Sequence, residues 1–308
     1  MRLDVVRLTR QRLGPVGVWL FGGDPTPVRE EREALGRLER LGYGSAWMGE
    51  SLGGRDAFAR SGVFLAATER LAVGTGIANV WARHPVTAQA AGRTLAEAHP
   101  GRFVLGLGVG HAFQAQQVGE SFQRPLSRLR DYLSTMDEEA AANPPAEPFA
   151  RVLAAIGPKM LELSRTHADG AHPFFAPLEH TAFARQILGP DRLLIPHQAV
   201  LLESDPVRAR AIARESVRLA ITRGAPAYAR AWQRFGYADD IADTTDRLVD
   251  AAVAWGDEEA IARRVRAQLD AGADHVLVSP TGTDLSGVVD QLTRLAPALR
   301  EISRDDAG

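Results

Sequence analysis

Residues 151–173 read Arg-Val-Leu-Ala-Ala-Ile-Gly-Pro-Lys-Met-Leu-Glu-Leu-Ser-Arg-Thr-His-Ala-Asp-Gly-Ala-His-Pro. A short apolar strand over 152–156 runs into a Gly-Pro turn, a helix follows over 159–167, and a second strand spans 170–172. Gly157 permits a tight turn and a close approach of the backbone to a ligand. Pro158 suits the first turn of a helix, where its missing N–H costs nothing. A helix starting there aims free N–H groups and the positive end of its dipole beyond the strand, which suits a phosphate or other anion. Lys159, the only lysine in the 308 residues, adds a full charge at that point. The same residues also suit an ordinary strand-to-helix turn with no ligand. Either way, strand–turn–helix–strand is the repeating unit of a parallel α/β fold.

Working outward, the unit recurs. Apolar strands are expected over 16–21, 44–48, 71–75 and 103–107 before the quoted stretch, and over 193–202 and 275–279 after it. Helical periodicity fills 27–41, 57–68, the Ala-rich run to 98, 127–142, 179–188, 205–222, 257–271 and 285–303. Eight short strands alternating with helices predict a (β/α)8 TIM barrel, in preference to a doubly wound sheet, which usually has fewer strands. No linker or composition break divides the chain, so residues 1–308 read as a single domain. Hydrophobic residues at 45% and charged residues at 24% suit a globular protein with a full core. A formal net charge of −2 gives no electrostatic case for nucleic acid or an anionic membrane. The absence of cysteine excludes disulfides, thiolate metal sites and a Cys nucleophile. No apolar run reaches membrane-spanning length, and a cytoplasmic protein is expected.

In such a barrel the chemistry lies at the carboxyl ends of the strands. Those positions carry Trp19 with Gly22-Gly23, Glu50, Gly76-Ile77 with Asn79, His111, Gly157-Pro158-Lys159, His172, His197-Gln198 and Ser279. No pair of them has metal-ligand spacing, so no metal is expected. No Gly-x-Ser-x-Gly elbow supports a serine hydrolase, and only Glu50 is placed for glycoside chemistry, which needs two carboxylates. Gly106, Gly108 and Gly110 would let a flat ligand approach the backbone. Each residue also has a plainer reading. Glu50 could be a solvated or helix-capping carboxylate, and His111 a loop cap. His172 and His197 could be satisfied core histidines, and Asn79 and Arg83 ties within a long loop.

Several runs taken together resemble the bacterial luciferase-like superfamily, and within it the branch of F420-dependent oxidoreductases. They are Ser45-Ala-Trp-Met-Gly-Glu50, Val73-Gly-Thr-Gly-Ile-Ala-Asn79 with Arg83-His84-Pro85, and Arg102-Phe-Val-Leu-Gly-Leu-Gly-Val-Gly-His111. Gly157-Pro-Lys-Met160 and Ala168-Asp-Gly-Ala-His-Pro173 complete the set, and the likeness runs from about residue 14 to 280. The resemblance implies a homodimeric TIM barrel that binds a flavin-type cofactor at its carboxyl face and acts on a small molecule. The implied cofactor is coenzyme F420, a 5-deazaflavin hydride carrier, with FMN the alternative. An FMN-dependent monooxygenase and a non-catalytic cofactor-binding protein are the alternative functions. Gly76-Ile77 matches a third-strand bulge that in relatives holds a non-prolyl cis peptide. By the same likeness Gly76, Ile77, Asn79, Gly108, Gly110 and His172 would face the cofactor, with Gly157, Pro158, Lys159 and Met160 at its phosphate. His111 would be the proton donor or acceptor beside the ring, Glu50 a second acid/base or a cofactor hydrogen-bond partner, and Trp19, Trp81 and His197 would wall the substrate pocket. The chain departs from relatives at Gly49-Glu50, often Pro-Glu, and at His197-Gln198, often Glu-Gln. The loop after His111 also lacks the acidic residue often found there.

Overall fold

The computed structural model of the chain describes residues 2–20, 26–224 and 226–305. It opens with α1 (Arg2–Leu13), β1 (Val16–Leu20), α2 (Val28–Leu41), β2 (Ser45–Met48), α3 (Ala57–Ala66), β3 (Ala72–Thr75), β4 (Ala78–Asn79) and α4 (Pro85–Ala98). The middle runs β5 (Phe103–Gly108), α5 (Ala112–Gln117), α6 (Pro125–Ala142), β6 (Ala150–Leu153), α7 (Pro158–His167), β7 (Gly170–Ala171) and α8 (Leu178–Leu188). Then come β8 (Leu193–Leu194), β9 (His197–Leu202), α9 (Pro206–Gly224), α10 (Ala227–Arg234), α11 (Asp246–Ala252), β10 (Val253–Gly256), α12 (Glu258–Asp270), β11 (Val276–Pro280) and α13 (Leu285–Asp305).

Strand follows strand around a parallel sheet in the order β1-β2-β3-β5-β6-β7-β8, and β11 returns to β1 on its other side. Val18 stands in register with Ala46 on one neighbour and Val278 on the other. The ring closes through residues 193–202. β8 pairs with β7 while β9 pairs with β11, and Ile195 N donates to Ala171 O at 2.9 Å as Leu277 N donates to Pro196 O at 2.9 Å. The strand expected over 193–202 is therefore broken at Pro196, which has no N–H to continue a ladder. Beyond that break β9 takes β10 as its second partner. Buried on both faces, as parallel strands between helices must be, β1, β2, β3, β5 and β6 carry no exposed residue. The (β/α)8 barrel expected from the alternation is the architecture observed.

The barrel interior is filled. Trp47 lies across it, and a Cβ at Gly74 would overlap its indole. Trp47 Nε1 donates to Ser45 Oγ at 2.9 Å, Ser45 donates to His275 Nε2 at 2.6 Å, and His275 Nδ1 donates to the Gly14 carbonyl at 2.6 Å. A carbonyl only accepts, which fixes the imidazole tautomer and the direction of the chain of bonds. α1, not foreseen in the charged residues 1–14, closes the amino-terminal end. Its Val6 and Leu13 join Trp47, Val104, Val152 and Leu277 in one buried cluster, and Arg10 pairs with Asp274 at 2.6 Å. Other departures are local. The strand expected over 152–156 ends at Leu153, α5 forms in a stretch with no clear period, and β10 follows α11 directly. Phe21 and the Gly22-Gly23 strand end lie outside the described residues.

Candidate active site

At the carboxyl face of the ring, the peptide bond between Gly76 and Ile77 is cis. Three features meet there. Trp19 Nε1 donates to the Gly76 carbonyl at 3.1 Å. A Cβ on Gly76 would stand 2.7 Å from that nitrogen and 3.1 Å from His172 Nε2, so only glycine admits both rings. His172 is 1% exposed and its Nδ1 donates to the Ile195 carbonyl at 2.7 Å. Its Nε2 is therefore a bare acceptor, buried and without a hydrogen-bond partner. Burial holds this imidazole neutral, with its pKa down at about 4.

Asn79 flanks the same bulge from β4. Its Oδ1 accepts from Trp81 N at 3.0 Å, while its buried Nδ2 has no partner. Gly110, with φ of +54°, lies against that amide, and a Cβ there would come within 2.7 Å of Nδ2. Gly108 makes room in the same way, since a Cβ would stand 2.9 Å from both Ile77 Cγ1 and Ala154 Cβ. Gly49, Gly76, Ile77, Gly110 and Ala154 are partly exposed, forming a floor of small and apolar groups with an orphaned donor and an orphaned acceptor beside it.

Glu50 reaches this rim but is fully engaged. Oε1 accepts from Ala57 N at 3.1 Å and Oε2 from Asn79 N at 2.7 Å. Both oxygens also take bonds from Arg83, whose guanidinium continues to Asp56 at 2.7 Å. A carboxylate held this way ties the loop after β2 to the loop after β4. It orients Asn79 and is poorly placed to exchange protons, so the acid/base role expected of it does not suit the geometry. Trp81, expected to wall the pocket, packs in the outer layer. Its Nε1 donates to Val109 O at 2.8 Å and its ring contacts Phe122 and Arg128.

An aromatic chain covers the face. Trp19 touches Phe174, with centroids 5.0 Å apart, and Phe174 lies on His197 at 4.0 Å. Tyr228 of α10 bridges Phe174 at 6.2 Å, Phe175 at 5.5 Å and His111 at 5.7 Å. His111 in turn stacks on Phe113 at 5.8 Å. Burial, with the neighbouring His172 adding to it, pushes His197 down to about 3. Burial also lowers the pKa of His111. Phe113, Phe174, Phe175 and Tyr228 were missed in the sequence. The Pro173-Phe174-Phe175 run directly after a strand was the one local sign of them.

The α7 N-terminus is capped by no side chain and has no acidic residue in its first turn. Gly157 is exposed, with open space where a Cβ would be. Lys159 is exposed and makes no ion pair among the described residues; it lines a groove between α6 and α7 with Leu126, Arg130 and Glu162. Met160 is partly buried on the same helix. The orphaned Nε2 and Nδ2 beside a glycine-lined floor fit the edge of a planar heterocycle that offers both a donor and an acceptor, and the open α7 terminus fits a phosphate. Among the described residues no three His, Cys, Asp or Glu side chains gather as a metal ion would need. None of their helices is long and apolar enough to cross a membrane.

Residues 1–275 match the family described as luciferase-like monooxygenase. The chain is 27% identical to the F420-dependent glucose-6-phosphate dehydrogenase of Intrasporangium calvum, with 92% of this chain and 98% of that protein covered. It is 23% identical to the 5,10-methylenetetrahydromethanopterin reductase of Archaeoglobus fulgidus, over 83% of each. Among solved structures, an F420-dependent secondary alcohol dehydrogenase in complex with an F420-acetone adduct has the same fold. Its TM-score is 0.75 at 15% identity, covering 93% of this chain and 99% of that one.

Proposed function

The chain belongs to the luciferase-like monooxygenase family, and on that premise we propose that it is an oxidoreductase passing hydride between coenzyme F420 and a small organic substrate. The observation that carries this reading is the bare acceptor of His172 beside Gly76 and the bare donor of Asn79 beside Gly110. The names of the relatives support F420 as the cofactor. F420, when bound, supplies a two-electron, hydride-carrying centre at its C5 carbon. The protein supplies the rest. Gly76, Ile77, Gly108 and Gly110 allow a flat ring to lie against the backbone, and His172 and Asn79 fix its edge. Gly157, Pro158, Lys159 and Met160 present the α7 terminus to the phosphate.

Trp19, Phe174 and His197 exclude water from the floor. His111 is the group that takes the proton released when an alcohol carbon is oxidised. Its burial keeps it neutral, and so a competent base, near pH 7. The test is turnover under argon, with oxidised F420 and a panel of neutral alcohols or reduced F420 and the matching ketones, followed by the deazaflavin absorbance. Protein-dependent turnover of one pair supports the proposal. Turnover that requires FMN, a reductant and oxygen instead would make the protein a monooxygenase.

A further inference from the structure

Past β6 the last ladder bond runs from Ala154 N to Leu107 O, at 2.8 Å. The first bonds of α7 are accepted by Gly157 O, from Met160 N at 3.1 Å and Leu161 N at 3.0 Å. Between them lie Ala155 and Ile156, which take part in no backbone–backbone hydrogen bond among the described residues. The Ile156 carbonyl is held from outside the segment. It accepts from Nε2 of His180, in the first turn of α8, at 2.8 Å. This short segment joins two parts of the site. Ala154 lies at the floor, 2.9 Å from where a Cβ of Gly108 would stand, and Gly157 opens α7. Its path therefore sets the distance from the floor to the helix terminus.

The surroundings of His180 are apolar. It is 1% exposed, and its ring meets those of Phe183 and Phe235 at steep angles, with centroids 5.9 Å away in each case. Phe183 and Phe235 touch each other at 5.8 Å, and the Arg234 guanidinium lies over Phe183 at 5.6 Å. Because a carbonyl only accepts, Nε2 carries the proton. Nδ1 is then a bare acceptor, buried and without a hydrogen-bond partner. Burial lowers the pKa of the imidazole, with Arg234 adding to the effect, and keeps it neutral near pH 7. An apolar side chain in this place would pack on the same rings without orphaning a nitrogen. What histidine adds is the N–H that reaches Ile156.

We propose that His180 is a positioning residue for the cofactor's phosphate: by holding the Ile156 carbonyl it fixes the α7 terminus relative to the Gly76–Ile77 floor, so that ring and phosphate are met together. The proposal rests on the reading of this face as a deazaflavin site. The test compares F420 with the same deazaflavin lacking its phosphate chain, each titrated by fluorescence quenching. His180→Leu should weaken F420 about three- to tenfold, the value of one hydrogen bond, and leave the phosphate-free compound within about twofold. His180→Gln, whose amide nitrogen can stand where Nε2 does, should restore most of the F420 affinity. His180→Asn, too short to reach Ile156, should not, and it carries the test if circular dichroism shows His180→Leu unfolded. With no ligand present, deuterium exchange at the Met160 and Leu161 amides should be at least about threefold faster in His180→Asn and His180→Leu than in the parent, because the turn they bond to is loosened. F420 affinity unchanged in both variants, equal weakening of both compounds, a His180→Gln variant no better than these, or unchanged exchange would overturn the proposal. Failure of F420 to bind the parent would instead overturn the cofactor reading, and the exchange measurement, made without ligand, would still decide whether His180 holds the turn.

Discussion

His111 differs from the other imidazoles of the carboxyl face in its access. His172 and His197 are almost wholly buried, whereas His111 lies at the rim between Tyr228 and the exposed Phe113. Its pKa lies below 6.5 because burial disfavours the charged form. The base form therefore persists as pH falls past 6.5 and is lost only further down. The acid limb of kcat/KM should accordingly lie below pH 6.5. His111→Ala should remove that limb and lower turnover by at least about tenfold, the scale of general-base catalysis, with F420 affinity within about twofold. An unchanged limb in the variant would take His111 out of the mechanism. At this scale the sequence was informative where a residue's role is local. Gly76, Asn79 and His172 sit in strand-end runs with a recognisable order, and the structure brings them together. Glu50 fits its plainer reading as a helix-capping carboxylate through Ala57 N, whereas its bonds to Asn79 N and Arg83, some thirty residues further on, have no local sign in the sequence. Tyr228 was invisible because nothing near it in sequence marks it as facing the barrel.

At the scale of elements, α7 behaves as its first three residues suggest. Pro158 occupies the first turn, Gly157 leaves open space, and the first turn carries no acidic residue. Lys159→Gln should weaken F420 binding about three- to tenfold, as loss of one charge-assisted contact, and flatten its salt dependence. Because Lys159 is exposed and makes no ion pair among the described residues, the melting temperature should stay within about 2 °C. Unchanged affinity at low salt would place the phosphate elsewhere. Elements that stand between two neighbours were the hardest to read. The run 193–202 is largely apolar, so periodicity gives one strand; the break falls at Pro196, which has no N–H for a ladder, and the partners change across it from β7 to β10. β10 is short and directly follows α11, leaving no turn signal to separate them. α1 reads as a charged segment because, among its described side chains, Val6 and Leu13 are the buried apolar ones, with Val5 packed partly against them.

For the molecule as a whole, filling the barrel has a consequence for pH. His172, His197 and His275 are buried and neutral, with pKa values down at about 4, 3 and 4. In the unfolded chain they titrate near 6.5, so below that pH the unfolded state binds protons the folded state does not. Stability should therefore be full above pH 6.5 and decline as pH falls from 6.5 toward 4, by about 1.4 kcal/mol per pH unit for each histidine. Chemical denaturation at pH 7.5, 6 and 5 checks this, and a midpoint independent of pH over that range would contradict it. The barrel itself was legible because its alternation is dictated by burial: parallel strands between helices must be apolar, and their helices must be amphipathic. What sits across the mouth is a matter of packing between distant segments, and no period records that.

We propose that the Gly76–Ile77 floor, with His172 and Asn79, receives a deazaflavin. Titrating the purified protein with F420 and, separately, with FMN, followed by quenching of each cofactor's fluorescence, tests it most directly. Micromolar or tighter binding of F420 and much weaker binding of FMN are expected, with F420 affinity reduced in Asn79→Ala. Preference for FMN, or no binding of either, would contradict it.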